Sequence, residues 1–324
     1  MQEYRFELRL CAHLEATTDT IIARQLGGGV TDTGGRIYDI VTIEPGPEFA
    51  QRREITHRSI PALAIESAVG PGRASPWPGT LDVSPAFAER VKERAIEVGF
   101  FELVPHHGTA KVRQSTAYPD WIGAITAIEN KPTLERPGAL RMQLRRDVSL
   151  GLVDRVILAT ASHVTGAHLN RIPPGVGVWR VEHDAGAVSI EVIREPTPLD
   201  PDQWGIEIGG HSPTARRIDT VSPEAKSRAR VRLAERAYGK GWRTPLPGCE
   251  RATTTTVAGT DTLPFCTWKD SIVDPAGCND SCPAYDPGQP PAADLDAERA
   301  ARTPWTHDPA GVARRQAGLF AEWE

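Results

Sequence analysis

The stretch Tyr118–Ser162, YPDWIGAITAIENKPTLERPGALRMQLRRDVSLGLVDRVILATAS, decides the fold. An apolar run from Trp121 to Ile128 leads into Glu129, Asn130 and Lys131. Residues i and i+2 of a strand share a face, so Glu129 and Lys131 are expected to project together from the strand end. Pro132 has no N–H to donate and stops the strand. Beyond Gly138 the period changes. Leu140, Leu144, Val148 and Leu152 recur at helical spacing and form one apolar stripe. Arg155–Thr160 then reads as a buried strand. Strand, helix, strand is a βαβ crossover, which implies a parallel pair with the helix packed on it.

Upstream, Gly34-Gly35 opens a second strong strand containing Ile37, Tyr38, Ile40, Val41 and Ile43, with Asp39 inside it. A carboxylate in an apolar strand is costly unless it is paired, metal-bound or turned to solvent. Residues 3–15 read as an amphipathic helix through Phe6, Leu10 and Leu14, with Cys11 a small buried hydrophobe. Thr20–Leu26 reads as a second short helix ended by Gly27-Gly28-Gly29. That glycine run is a turn and not a phosphate loop, because no strand precedes it and no Gly-Lys-Ser/Thr follows.

A Glu-x-Lys at a strand end, followed by a helix and a strand, resembles the core of the PD-(D/E)xK nucleases, the restriction-endonuclease-like superfamily. The resemblance covers residues 1–45 and 118–195 in pieces and rests on short motifs. It implies an α/β core of element order αβββαβ and a divalent ion, Mg²⁺, held by an upstream Asp and by Glu129, with Lys131 positioning water. Arg36-Ile-Tyr-Asp39 fits the family's Arg-x-x-Asp on the preceding strand. Asp120, in a literal Pro-Asp nine residues before Glu129, is the rival. Asp39 is preferred because nine residues is tight for two strands and a turn. Gln143 falls where the family often places a helical glutamine, and Glu7 or Glu15 could supply its extra helical carboxylate. The chemistry is sound without the family. Mg²⁺ takes a few carboxylate oxygens and keeps several waters, and a nearby lysine can stabilise charge on a phosphoryl oxygen.

If Asp39 is the ligand, residues 46–117 are an insertion. Ser84-Pro85 caps a helix to Gly99, with Phe87, Val91, Ala95 and Val98 turned inward. Two strands around His106-His107-Gly108-Thr109 form a hairpin. Helix plus basic hairpin resembles a winged-helix element whose Lys111 and Arg113 touch phosphates; the alternative is a hairpin packed on the core. A short helix over His163–Asn170 and a hairpin over Gly175–Ile193 complete the core. Residues 196–245 read as a linker followed by a helix opening at Ser222-Pro223. That helix carries Lys226, Arg228, Arg230, Arg232 and Arg236, with Lys240 and Arg243 beyond: either a solvated face or a phosphate-facing surface, with Arg228 and Arg232 the contact candidates.

Residues 246–324 hold Cys249, Cys266, Cys278 and Cys282 among Gly, Pro, Thr and Asp, with little apolar content to form a core. Four thiolates around one structural Zn²⁺ would hold such a segment. Residues 284–304 read as extended, and Val312–Trp323 as a last amphipathic segment. The whole chain also resembles an uncharacterised family of haloarchaeal proteins, which implies no activity.

The 324 residues suffice for about two domains and a small appended module. No apolar run is long enough for a membrane span. The first residues, MQEYRFELRLCAHLE, lack a basic stretch followed by an apolar one, so no signal peptide is read there and the cytoplasm is the expected compartment. A net charge of −5 does not announce nucleic acid, and only local charge can bring it. The expectation is therefore a Mg²⁺-dependent nuclease hydrolysing DNA, with RNA as a further substrate class. The alternative is a non-catalytic nucleic-acid-binding protein on a degenerate nuclease fold.

Overall fold

The computed structural model describes residues 2–302 except 33, 56–58, 68, 73, 78–82, 106–110, 136–137, 185–186 and 210–216. The chain opens with α1 (Glu3–Thr17), β1 (Ile21–Gly27) and β2 (Ile37–Pro45). It leaves for α2 (Phe49–Arg53), α3 (Ala62–Ile65), β3 (Ser75–Pro76), α4 (Pro85–Glu97), β4 (Phe101–Val104) and β5 (Lys111–Gln114). It returns as β6 (Ile122–Asn130), α5 (Leu140–Leu150), β7 (Arg155–Thr160), α6 (Gly166–Leu169), β8 (Gly177–Asp184) and β9 (Ala187–Arg194). Then come β10 (Gly205–Gly209), β11 (Arg217–Val221), α7 (Pro223–Lys240), β12 (Ala252–Val257), β13 (Thr260–Cys266), β14 (Ser271–Ile272) and α8 (Leu295–Arg302).

The main sheet runs β1-β2-β6-β7-β8-β9. Strands β6, β7 and β8 are parallel and the remaining pairs antiparallel. The expected βαβ unit is β6-α5-β7, in the register Glu129↔Leu158. Gly151, at φ 56°, ends α5 in the left-handed conformation that glycine adopts most readily. Alternation along each strand divides the core. Ile125, Ala127, Val156 and Leu158 pack under α5 and α7 through Leu144, Leu233 and Tyr238. Ile22, Ile40, Ile128, Ile157 and Val181 pack on Phe6, Leu10 and Leu14 of α1. The result is a mixed α/β fold with helices on both faces of the sheet.

Residues 46–121 separate β2 from β6, yet the two strands are neighbours. The Gly46 N–H donates to the Trp121 carbonyl at 2.6 Å where the excursion begins and ends. A Cβ on Gly46 would come within 2.7 Å of the Trp121 backbone, so only glycine fits this approach. The excursion has its own small core of Val91, Ala95, Phe100, Phe101 and Val112, and its own sheet, ordered β3-β5-β4.

Several expectations are corrected. Thr20–Leu26 is not a helix but β1, because the β-branched Ile21 and Ile22 fit a pleated surface and face opposite cores. The linker after residue 196 contains the hairpin β10–β11. Phe87 is an exposed residue of α4; Ala88, Val91 and Ala95 face inward. The Cys-rich segment is not without apolar support: β12 and β13 form a hairpin through Ala258-Gly259, and Val257, Leu263 and Ile272 join the α1 core. Leu295–Arg302 is helical, whereas Val312–Trp323 and the His106–Ala110 turn lie outside the described residues. Among the described residues, no helix is long and apolar enough to cross a membrane.

Candidate active site

The antiparallel ladder between β2 and β6 ends at Ile40↔Ile128. One residue further, a side chain takes over. Asp39 Oδ2 accepts the Asn130 N–H at 2.8 Å, which seats the Asp39 carboxylate against β6 beside Glu129. Across β1 the ladder skips Gln25, which stands opposite Asp39 between the pairs Arg24↔Ile40 and Leu26↔Tyr38. Gln25 has φ 54°, a strained value for a non-glycine residue. Its Nε2 donates to both Glu7 oxygens at 3.2 Å. The Glu7 carboxylate, on α1, also accepts Arg24 Nε at 2.5 Å. Three elements, α1, β2 and β6, thus bring Glu7, Asp39 and Glu129 into one neighbourhood.

Glu129 is held by Arg36, whose Nη2 lies 2.6 Å from Glu129 Oε2 and 2.7 Å from Asp147 Oδ2, while its Nε donates to Asp147 Oδ1 at 2.8 Å. Lys131 leaves the end of β6 toward α1, its Nζ 3.8 Å from Glu3 Oε1, and its charge also reaches Glu129. Asn130 is fully buried, and neither atom of its side-chain amide has a hydrogen-bond partner among the described residues.

The electrostatics follow first from burial and then from the neighbouring charges. Burial, then the neighbouring Glu129 charge, push the Asp39 carboxyl from its ordinary 3.8 to about 7, against the Asn130 N–H. Burial raises Glu129 and Asp147 as well, with Arg36 opposing in both. Burial disfavours the Arg36 charge, but Asp147 and Glu129 outweigh it and hold the guanidinium above its usual range. Arg36 and Arg24 are engaged by Glu129, Asp147 and Glu7. Asp39 alone of these carboxylates lacks a cation contact among the described residues.

The other expected residues lie elsewhere. Asp120 precedes β6 and is exposed at the opposite end of the strand from Glu129. At about 3.3 Å per residue the two are roughly 30 Å apart and cannot share an ion. Gln143 lies on α5 one turn before Asp147; the latter is the helical side chain that reaches the cluster. Glu15 accepts from Trp242 Nε1 and Arg243, a packing role away from Asp39. Arg113 pairs across the hairpin with Glu102, and Lys111 is half-buried beside it.

The α7 helix is not a free basic face. Lys226 is buried on the Gly151 and Asp200 carbonyls, Arg230 bonds Asp154, Arg232 donates to the Gly29 carbonyl, Arg236 pairs with Glu66, and Lys240 bonds the Gln25 carbonyl. Arg228 remains exposed. Arg232 is thereby turned inward and removed from the phosphate-contact candidates. The amides after the glycine run are likewise occupied internally: Glu207 accepts Val30 N–H at 3.0 Å and Thr31 N–H at 2.7 Å.

Cys249, Cys266, Cys278 and Cys282 gather at one end of the β12-β13-β14 sheet, near enough that Cys249, Cys266 and Cys282 add to burial in raising the Cys278 thiol. All four are free thiols. Among the described residues no group of three or more His, Cys, Asp or Glu side chains is close enough to hold a metal.

Sequence reasoning missed Asp147 and the bridge that Arg36 makes between it and Glu129. The signal for Arg36 was present in Arg36-x-x-Asp39. Asp147 stands beside the apolar stripe of α5, and no spacing marked it as a partner of Arg36.

Fold and site together define a mixed α/β protein with a carboxylate and lysine cluster at the ends of adjacent central strands. A model of a protein family of unknown function, DUF5787, matches residues 21–287, and the chain belongs to that family. No curated protein and no solved structure matches it.

Proposed function

We propose that this protein is a Mg²⁺-dependent phosphodiester hydrolase acting on DNA, built on a PD-(D/E)xK-type core in which α1-β1-β2-β6-α5-β7 supply the αβββαβ order. The observation that carries the reading is Asp39: a partly buried carboxylate beside Glu129, given one backbone N–H and no cation among the described residues. A divalent ion fits this deficit, and the unpartnered Asn130 amide marks further unused polar capacity at the same strand end. Asp39, Glu129 and the Asn130 carbonyl would hold the ion. When bound, it supplies Lewis acidity toward water and a phosphoryl oxygen. Two carboxylates and a carbonyl suffice, since Mg²⁺ keeps several waters. Lys131 neutralises charge on the phosphoryl group, while Arg36, anchored by Asp147, fixes the Glu129 carboxylate. The insert serves as a winged-helix-like phosphate contact through Lys111 and Arg113, with Arg228 adding to it. The four late cysteines share one neighbourhood and would have to draw closer together to hold a structural Zn²⁺.

The test is Lys131→Met. Mg²⁺-dependent cleavage falls by ~10²–10³, the size of losing one transition-state charge stabiliser. DNA affinity stays within a factor of about two, because one lysine is a small part of a multi-phosphate footprint. A second reading, a non-catalytic nucleic-acid-binding protein on this fold, is favoured by one observation: Arg36 already neutralises Glu129. Wild-type protein that binds DNA but cuts neither DNA nor RNA with Mg²⁺ or Mn²⁺ would select it.

A further inference from the structure

Helix α1 carries Arg5, Arg9 and His13 at i, i+4 and i+8, a single helical face. Against that face lies His183 of β8, whose ring stands edge-on to Phe6 at 5.3 Å between centroids. Two arginines, flanked by two imidazoles that burial holds toward the neutral form, make a donor-rich strip without counter-ions. Among the described residues none of these side chains has an ion pair or hydrogen bond. The Nε atoms of Arg5 and Arg9 and both ring nitrogens of His183 are shielded from solvent and unpartnered. Like charges at i, i+4 destabilise a helix. A protein of net charge −5 that nevertheless aligns them leaves acceptors to come from outside.

The groups facing His183 are the strip itself. Burial first, then Arg9, Arg5 and His13 from α1, lower it to about 4, so it stands neutral near pH 7. On β9 its partner is Val188; Glu182, next along β8, pairs instead with Arg180. Shielded imidazole nitrogens crowded by arginines are well complemented by an anion, which supplies acceptor oxygens and makes the imidazolium favourable.

The strip is continuous with the candidate active site. Lys131 reaches Glu3 in the first turn of α1, and Arg5 stands two residues on. In the register, Asn130 pairs with Ala159 and Ala159 with Trp179, which places His183 two strands across and a few residues beyond Lys131. With strands about 4.8 Å apart and about 3.3 Å per residue, the separation is on the order of 14 Å. That is the reach of a short run of neighbouring phosphates along one nucleic-acid strand.

We propose that Arg5, Arg9, His13 and His183 form a subsite for the sugar–phosphate backbone, along which a nucleic-acid strand lies as it leaves the Asp39–Glu129–Lys131 site. The proposal uses the nucleic-acid part of the function argued above and not its catalytic part.

The experiment measures equilibrium binding of fluorescent duplex DNA, single-stranded DNA and RNA over a salt series in EDTA, for wild type, R5A/R9A and R5K/R9K. The expected result is at least about a tenfold loss of affinity in R5A/R9A for the preferred strand form. The slope of log K against log salt should flatten by about two, with recovery in R5K/R9K. The three probes separate DNA from RNA as the source of the phosphates. In parallel, the His183 ring of the wild type is titrated by NMR, and its pKa should rise when a short strand is bound. This second readout decides the matter if R5A/R9A does not fold. Unchanged affinity and slope in R5A/R9A, an unmoved His183, or no binding of any strand overturns the subsite. Binding that depends on the strip in a protein that never cleaves retains the subsite and removes the catalytic reading.

Discussion

Replacing Asp39 by Asn is expected to make the protein more stable, and the pH dependence of the gain is the sharpest check on the site. The Asp39 carboxyl titrates at about 7 when folded, against an ordinary 3.8. Its folded-state pKa is raised, so the fold favours the neutral form. The Asp39 contribution is therefore without penalty at low pH, and its cost grows as pH climbs from about 4 to about 7. At pH 8 the cost is complete. About three units at ~1.4 kcal/mol each give roughly 4 kcal/mol, which solvent screening of a partly buried group trims to about 2–3 kcal/mol. Asn keeps an oxygen for the Asn130 N–H and carries no charge, so Asp39→Asn recovers most of this at pH 8 and almost none at pH 4. The assay is urea denaturation of both proteins at pH 4, 6 and 8. Addition of 10 mM Mg²⁺ at pH 8 forms a second arm. An ion bound through Asp39 stabilises the wild type and not the variant. A variant no more stable than wild type at pH 8, or a gain that does not shrink toward pH 4, refutes the burial and charge argument. A normal pH response with no Mg²⁺ effect leaves the electrostatics standing and removes the metal.

Arg36→Met has the opposite sign: it strands buried Glu129 and Asp147 without their shared guanidinium, a loss of about 3–5 kcal/mol at pH 8, smaller at pH 5 and measurable by the same denaturation. Glu235→Gln removes the charge opposite fully buried Arg52 and weakens the acceptor for Tyr118 Oη and Trp121 Nε1, at a cost of similar size. A drop under 1 kcal/mol would contradict that buried network. Protein purified without chelator is expected to carry one Zn²⁺ per chain, with the thiols of Cys249, Cys266, Cys278 and Cys282 unreactive until it is stripped. Metal analysis with thiol titration decides this, and four reactive thiols with no zinc rejects it.

The β6-α5-β7 unit was legible because its two periods, strand then helix, follow in succession, although the stripe was carried to Leu152 while the helix ends at Leu150, before Gly151. Asp39 was legible because a lone carboxylate in an apolar strand needs a reason. Its convergence with Glu129 was not readable from spacing, since they are brought together by strand pairing across a 76-residue excursion, 46–121. The arginines of α7 misled for a related reason. Arg–carbonyl and Arg–carboxylate contacts with Gly29, Leu152, Asp154 and Glu66 are long-range, so a helix that looks solvated in one dimension is central in three. Strand β1 was misread because a seven-residue segment with adjacent Ile21 and Ile22 fits a helical stripe about as well as a strand buried on both faces.

The hydrogen bond from Gly46 to Trp121 has a consequence for how this chain can change. Excursion and return are clasped where Gly46 and Glu48 meet Trp121 and Asp120, and beyond that clasp β2 and β6 pair directly as far as Ile40↔Ile128. Entropy charges little for the length between them: lengthening a five-residue turn to some 75 residues costs about (3/2)RT ln 15, roughly 2.4 kcal/mol. The outer part of the segment, beyond its Arg52–Glu235 and Glu66–Arg236 ties to α7, is therefore exchangeable. It can be shortened, enlarged or replaced in descendants of this gene while the register that aligns Asp39 with Glu129 stays fixed at the far end of the same two strands. Selection can then refit what the protein grips independently of the strand ends where those carboxylates meet.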